Sequence, residues 1–233
     1  MEFAVCFVRH GQYAQPPGVP SAHLPHPLVE EGRAQSRAGL QTLQREAAAR
    51  GWTLCPVLDA SPLLRAWETA TLFAEGLRTS GMGDARVETF DALTERSLGA
   101  AANLTVPEIE AVIERDPRFE PLPPGWKRTS DFRLPFVGAE SLREAGARVA
   151  AHVRRRAEQL QPPPGQGLYV KVVVGHGGSI RHAAAALGML EPTGVDRLSM
   201  HHGTPIVHVH RAHGWEHVYG AWKQRTQASE DPH

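Results

Sequence analysis

Four short stretches of the chain are almost wholly apolar and rich in β-forming residues: positions 3–8, 54–58, 168–174 and 205–209. Such runs predict strands of one sheet. Between them lie helical stretches over residues 30–50, 62–77, 106–115, 141–160 and 179–187, the first and last stopping at Gly51 and Gly188. Thr105 with Glu108, and Ser141 with Glu144, have the spacing of capping boxes, and Ser61 before Pro62 is expected to cap the second helix. Strands alternating with helices predict an α/β fold with a mostly parallel central sheet.

Two stretches break the alternation. RFEPLPPGWKRTSDFRLPF, residues 118–136, mixes prolines, aromatics and cations without a period. It is expected to be a structureless functional loop inside a long excursion at about 100–137. PPPGQG, residues 162–167, joins a helix to a strand and is read as a loop, not a linker. Residues 1–222 are therefore expected to form a single domain, and 223–233 a polar, solvated tail.

Composition narrows the partners. Among 233 residues, 25 Lys and Arg balance 25 Asp and Glu, so net charge points to neither nucleic acid nor an acidic membrane surface. The apolar run before Arg9 is too short for a signal segment, and no stretch reaches membrane-spanning length. Cys6 and Cys55 sit in apolar strands as small buried hydrophobes. A cytoplasmic, reducing location is expected; oligomeric state is left open.

Candidate chemistry lies where strands end. FVRHGQY closes the first strand with Arg9 and His10, and Gly11 permits a tight turn. VVVGHGGSIR closes another with His176 among Gly175, Gly177 and Gly178, where backbone can approach an anion at the start of a helix. In LDASPLLRAWETA, Arg65 stands about one turn into a helix, the reach needed to aim a guanidinium over the same sheet edge. In open α/β sheets that edge is where ligands bind.

Five motifs, RHG, SPLLRAWETA, LTERSLG, GAESL and GHGG, stand in the order found in the histidine phosphatase superfamily. From residue 3 to about 209 the chain resembles its phosphoglycerate-mutase-like branch. The resemblance implies a three-layer α/β/α sandwich and a phosphatase that hydrolyses phosphomonoesters through a phosphohistidine. His10 would be the nucleophile; Arg9, Arg65 and a protonated His176 would surround the phosphoryl group. Glu95, entering protonated, would be proton donor to the leaving oxygen, with Glu88 and Asp91 as rivals.

These residue types suit the chemistry. Guanidinium forks match pairs of phosphate oxygens, and imidazole is a nucleophile near neutral pH. Because side chains supply the positive charge, no metal or other cofactor is required. His208 with His210, and His201 with His202, are alternative metal ligands, read instead as a solvated strand face.

The pattern also breaks. RHGQYAQPPG has Pro16 and Pro17 where the family's mutases carry a phosphate-gripping asparagine, which leaves Gln12, Tyr13 or Gln15 as substitutes and tilts the reading from mutase to hydrolase. Val29 stands where a capping threonine is usual. Trp126, Lys127, Arg128 and Arg133 are read either as contacts for a second anionic group or as exposed loop residues. The alternatives are a phosphoglycerate-mutase-like transferase and a catalytically silent module that binds a phospho-ligand. The partner is expected to be a small phosphomonoester or a phosphoprotein.

Overall fold

Strand β1 (Phe3–Arg9) alternates its side chains between two apolar layers. Ala4, Cys6 and Val8 pack on one face with Leu40, Leu43, Phe73 and Ala74. Val5 and Phe7 pack on the other with Val149, Val153, Ile180 and Ala183. A strand apolar on both parities can only be stable with both faces covered, and here helices cover both. Phe7 is fully buried, and truncating it to Ala is worth about 3–5 kcal/mol.

In chain order follow α1 (Glu30–Arg50), β2 (Thr53–Leu54), β3 (Val57–Ala60), α2 (Leu64–Thr79), β4 (Arg86–Thr89), α3 (Val106–Arg115), α4 (Leu142–Gln159), β5 (Tyr169–Gly175), α5 (Gly177–Ala186), β6 (Leu198–Ser199), β7 (Pro205–Arg211), β8 (Gly214–Tyr219) and β9 (Lys223–Gln224). This computed structural model describes residues 2–162, 164–165 and 167–225. The main sheet runs β4-β3-β5-β1-β7-β8, with β2 also paired to β5, and β6 and β9 form a small second sheet. β1, β3, β4 and β5 are mutually parallel, while β7 pairs antiparallel with β1 and β8 antiparallel with β7. Helices α1 and α2 cover one face, α4 and α5 the other. This is the expected three-layer sandwich.

Several expected boundaries are corrected. The strand at 54–58 is two strands, because Pro56 has no N–H for a ladder: Cys55 N–H still bonds Val170, and Pro56 only accepts, from Arg86. β4 and β8 escape a hydrophobic reading because they are half-exposed outer strands of polar composition. Both capping boxes form. Val29 heads α1 without a side-chain cap, and Leu63, not Ser61, occupies the N-cap of α2.

Residues 118–136 are irregular in backbone but not structureless in packing. Trp126, Leu134, Phe132 and Phe136 join Ile109 and Ile113 of α3 in a small core of their own. The indole N–H of Trp126 donates to Glu110 (3.2 Å). The expected tail is corrected as well, since Lys223 and Gln224 pair with β6; the tail beyond residue 225, like Pro163 and Gln166 of the 162–167 loop, lies outside the described residues. Among the described residues no helix is long and apolar enough to cross a membrane.

Candidate active site

β1 and β5 are adjacent and parallel with Arg9 opposite Gly175, so both deliver their terminal residues to one edge. The His10 N–H bonds Gly175 O at 3.0 Å, fixing the two strand ends together. The turn after His10 passes against α1 with no room for a side chain: a Cβ on Gly11 would lie 2.2 Å from Gly32 O. Gly11 N–H is instead taken by Thr69 Oγ1 at 3.0 Å, one turn beyond Arg65 on α2.

The His10 ring is buried, and both its nitrogens are assigned by their partners. Arg65 Nε lies 3.2 Å from His10 Nε2. A guanidinium only donates, so Nε2 is the acceptor. The ring proton therefore sits on Nδ1 and goes to Gly11 O at 2.8 Å. Burial first, then the charge of Arg65 and the neighbouring His176 and Arg9, hold His10 well below the ordinary histidine value. It is neutral, with its lone pair toward Arg65.

Arg65 is itself buried, and its far end is anchored by carbonyls. It donates to Leu24 O (2.7 Å), Ala22 O (2.7 Å) and Ser21 O (3.2 Å), leaving Nε for His10. Its guanidinium lies over the Tyr13 ring at 4.6 Å, a cation–π contact, and the Tyr13 hydroxyl bonds Ser21 at 2.8 Å. The loop at 21–24 therefore aims a side chain on α2. Glu68, which might have balanced Arg65 on a solvated helix, pairs with Arg33.

Arg9 is buried, donates to Met200 O at 3.0 Å, and lies against Gly177, whose added Cβ would meet its Cδ at 3.3 Å. His176 is the N-cap of α5, with ring centroid 5.1 Å from that of His10. Its Nε2 lies 2.9 Å from Ser61 Oγ, which also accepts Leu63 N–H at 3.2 Å. A hydroxyl has one proton and two lone pairs, so Oγ bonds Nε2 in either tautomer of the ring. The other ring nitrogen, Nδ1, is buried and has no hydrogen-bond partner among the described residues. The expected protonated His176 is corrected: burial, Arg65 and His23 hold it well below the ordinary value, so it is neutral.

Glu95 is buried and closes the free end of α5. Its carboxyl oxygens accept from Arg96 N (2.9 Å), Gly178 N (3.0 Å) and Ser179 N (3.0 Å). Burial pushes its pKa up, but these N–H groups and nearby Arg181 and Arg96 outweigh it, and the net direction is down. The expectation of a protonated resting Glu95 is thereby corrected: it rests as a carboxylate. Its sequence rivals lie elsewhere, Glu88 paired with Arg156 and Asp91 presenting its carbonyl to Arg148.

The structure thus brings Arg9, His10, Arg65, His176, Gly177 and Tyr13 together, with Glu95 on the neighbouring helix end. Gln12 is exposed; it lines a cleft with Arg9, Tyr13, Gln15 and His202, and its N–H bonds Gln35 Oε1 (2.9 Å). Gln15 Nε2 donates to Val19 O (2.9 Å). Arg133 bonds Glu144 on the surface. Of the alternative metal ligands, His208 packs on His217 and His210 on Phe3 and Trp215. Among the described residues no three His, Cys, Asp or Glu side chains gather as a metal set.

Sequence reading missed Ser61 as the partner of His176, and left Arg181 of the quoted VVVGHGGSIR without a role. The signal for Ser61 is its place at the end of β3, beside β5, where a hydroxyl reaches the next strand's terminal histidine.

A search of solved structures finds the same architecture. "Mycobacterial hydrolase 2" is 25% identical, with TM-score 0.66, covering 97% of this chain and 94% of that one. The mycobacterial glucosyl-3-phosphoglycerate phosphatase complexed with VO3 is 25% identical, with TM-score 0.67, covering 93% and 97%. A phosphoserine phosphatase mutant from Entamoeba histolytica, in complex with phosphoserine, shares the fold at 17% identity and TM-score 0.66, covering 94% and 96%. Comparison with curated protein sequences gives no match. The family model described as "Histidine phosphatase superfamily (branch 1)" matches residues 5–223, and the chain belongs to that superfamily.

Proposed function

We propose that this protein is a metal-independent phosphatase that hydrolyses phosphomonoesters through a phosphohistidine on His10. The observation that carries the reading is the His10 ring: neutral, proton held on Nδ1 by Gly11 O, lone pair of Nε2 turned toward Arg65. An oxyanion entering between Nε2 and Arg65 meets a nucleophile on one side and a guanidinium on the other. At about 4 Å and an effective dielectric near 20, each unit-charge pair is worth on the order of 4 kcal/mol, which offsets the repulsion between the ester's oxygens and a lone pair.

In the first step Nε2 forms a bond to phosphorus as the ester P–O bond breaks, and the leaving oxygen takes a proton. In the second, water attacks phospho-His10, loses its proton, and the N–P bond breaks to release phosphate. Glu95 is the group we assign to the proton in both steps, as acid and then base. His176 and Arg9 are assigned to the equatorial oxygens. The phosphatases among the structural relatives support the reaction class.

Rapid-quench mixing with a 32P-labelled phosphomonoester tests it. Wild type should yield an acid-labile, alkali-stable protein adduct and free phosphate, and His10→Ala neither. Undiminished turnover by His10→Ala would refute the mechanism, and isomerised product in place of phosphate would shift the reading to a mutase.

A further inference from the structure

A cavity of about 630 Å³ opens from Glu95 and Gly178 toward the excursion. Its size suits a small molecule. Leu98, Val106 and Pro107 give it an apolar wall, and Arg96, Lys127, Arg128, Arg181 and Arg225 the opposing charge. These five cations come from four separate parts of the chain, and Glu95 is the one carboxylate among the lining residues. Its carboxylate, whose oxygens accept from backbone N–H groups, offsets one of the five positive charges and leaves the lining strongly cationic.

Arg181 is the decisive residue. It is 2% exposed, and its Nε and Nη1 are buried with no hydrogen-bond partner among the described residues. It makes no ion pair among the described residues. Its charged neighbours are Arg225, Glu95, Arg96 and Arg9, three of the four cationic. Burial and Arg225 push its pKa down to about 9, which still leaves it charged at neutral pH. An unpaired buried guanidinium among cations is a costly arrangement unless an anion completes it.

We propose that Arg181, with Arg96, forms a second oxyanion subsite, so that the preferred substrates carry a carboxylate or a second phosphate on the leaving-group side of the phosphomonoester. The proposal rests on the phosphatase reading, because Glu95, assigned to the leaving oxygen, borders this same cavity. Lys127 and Arg128 extend the positive field along the lining. A guanidinium fork donates two parallel hydrogen bonds to either oxyanion.

The test uses three matched phosphomonoesters whose alcohol bears a carboxylate, its carboxamide, or a second phosphate, and the non-hydrolysable phosphonates of the same three. For wild type, kcat/KM for at least one charged substrate should exceed that of the carboxamide by roughly 10- to 100-fold, the span of a charge-assisted hydrogen-bond pair. Most of the difference should lie in KM. In Arg181→Met the ratio should fall to within about threefold of unity, and Arg181→Lys, which keeps the charge but loses the fork, should fall between.

Calorimetry with the phosphonates reads the same ratio without turnover. Selective binding without hydrolysis of any ester would overturn the phosphatase reading and leave the subsite standing. Equal wild-type affinity for charged and neutral phosphonates would overturn the subsite even where all three esters are hydrolysed. So would a ratio retained in Arg181→Met that melts like wild type.

Discussion

Ser61→Ala isolates one hydroxyl with two partners. In the native site Oγ accepts Leu63 N–H at 3.2 Å and lies 2.9 Å from His176 Nε2. Leu63 is partly exposed, so water replaces that partner at little loss. His176 is fully buried, and its Nε2 is left without a partner at about 1–3 kcal/mol. The same change removes the hydrogen bond that holds the ring's orientation and tautomer beside His10. If that loss falls on the transition state, 1.4 kcal/mol per decade gives roughly a 10- to 100-fold fall in kcat/KM. Steady-state kinetics measure the fall, urea titration the stability, and 15N shifts of the His176 ring the tautomer. Ser61→Thr, which retains a hydroxyl, should recover most of both. Wild-type kcat/KM in Ser61→Ala would refute the reasoning.

Three further outcomes are expected. Asp59 is fully buried and bonded to His152 (2.8 Å), Arg156 (2.8 Å) and Lys171 (2.6 Å), so Asp59→Ala strands buried Lys171 and should cost about 3–5 kcal/mol in urea unfolding. Both ring nitrogens of buried His208 lack partners among the described residues, and burial followed by His217 pushes its pKa down to about 4. A depressed histidine gives stability that is complete above the unfolded value near 6.5 and is lost as pH falls from there to the folded value, so unfolding at pH 5 should be easier by about 2 kcal/mol from this residue alone. His208→Leu should remove that share of the pH dependence and raise stability at pH 7 by about 1 kcal/mol; an unchanged slope between pH 6.5 and 5 counts against it. A Cβ at Gly178 would lie 2.7 and 2.9 Å from the Glu95 carboxyl oxygens, so Gly178→Ala should displace that carboxyl and lower kcat by roughly 100-fold in the same phosphatase assay.

What was legible in the sequence follows from where burial is two-sided. β1 and β5 announce themselves because both parities of FAVCFVR and YVKVVVG are buried, and their last residues carry the candidate chemistry. RVET and GWEHVY are edge or near-edge strands with exposed positions, and composition cannot separate them from loop. Residues 118–136 hide their core because aromatics at 119, 126, 132 and 136 follow no helical or strand period; irregular backbone brings them together. The charge states of His176 and Glu95 were also out of reach. A sequence shows that cations are near, but it does not show that α5 turns two N–H groups toward Glu95, or that burial and neighbouring cations together hold His176 neutral. Arg181 is in the same position, since only the folded cavity shows that its Nε and Nη1 have no partner among the described residues.

Those charge states bear on how the reaction we propose divides its labour. At rest the centre holds two guanidinium charges, Arg9 and Arg65, two neutral histidines and one carboxylate, a formal balance of one positive charge. A phosphomonoester dianion reverses that sign. An added negative charge raises the pKa of each nearby acid, so its arrival drives His176 and Glu95 toward their protonated forms while the proton on His10 Nδ1 stays with Gly11 O. The acid needed for the leaving oxygen is thus generated by the substrate's own charge rather than stored in the empty site. Once the alcohol has left and phosphate is on His10, Glu95 returns to the carboxylate that α5 stabilises, which is the form that takes a proton from water. The helix end that makes Glu95 a poor acid at rest is what makes it available as a base in the second step, and neutral His10 keeps a usable lone pair because the arginines beside it disfavour its protonation.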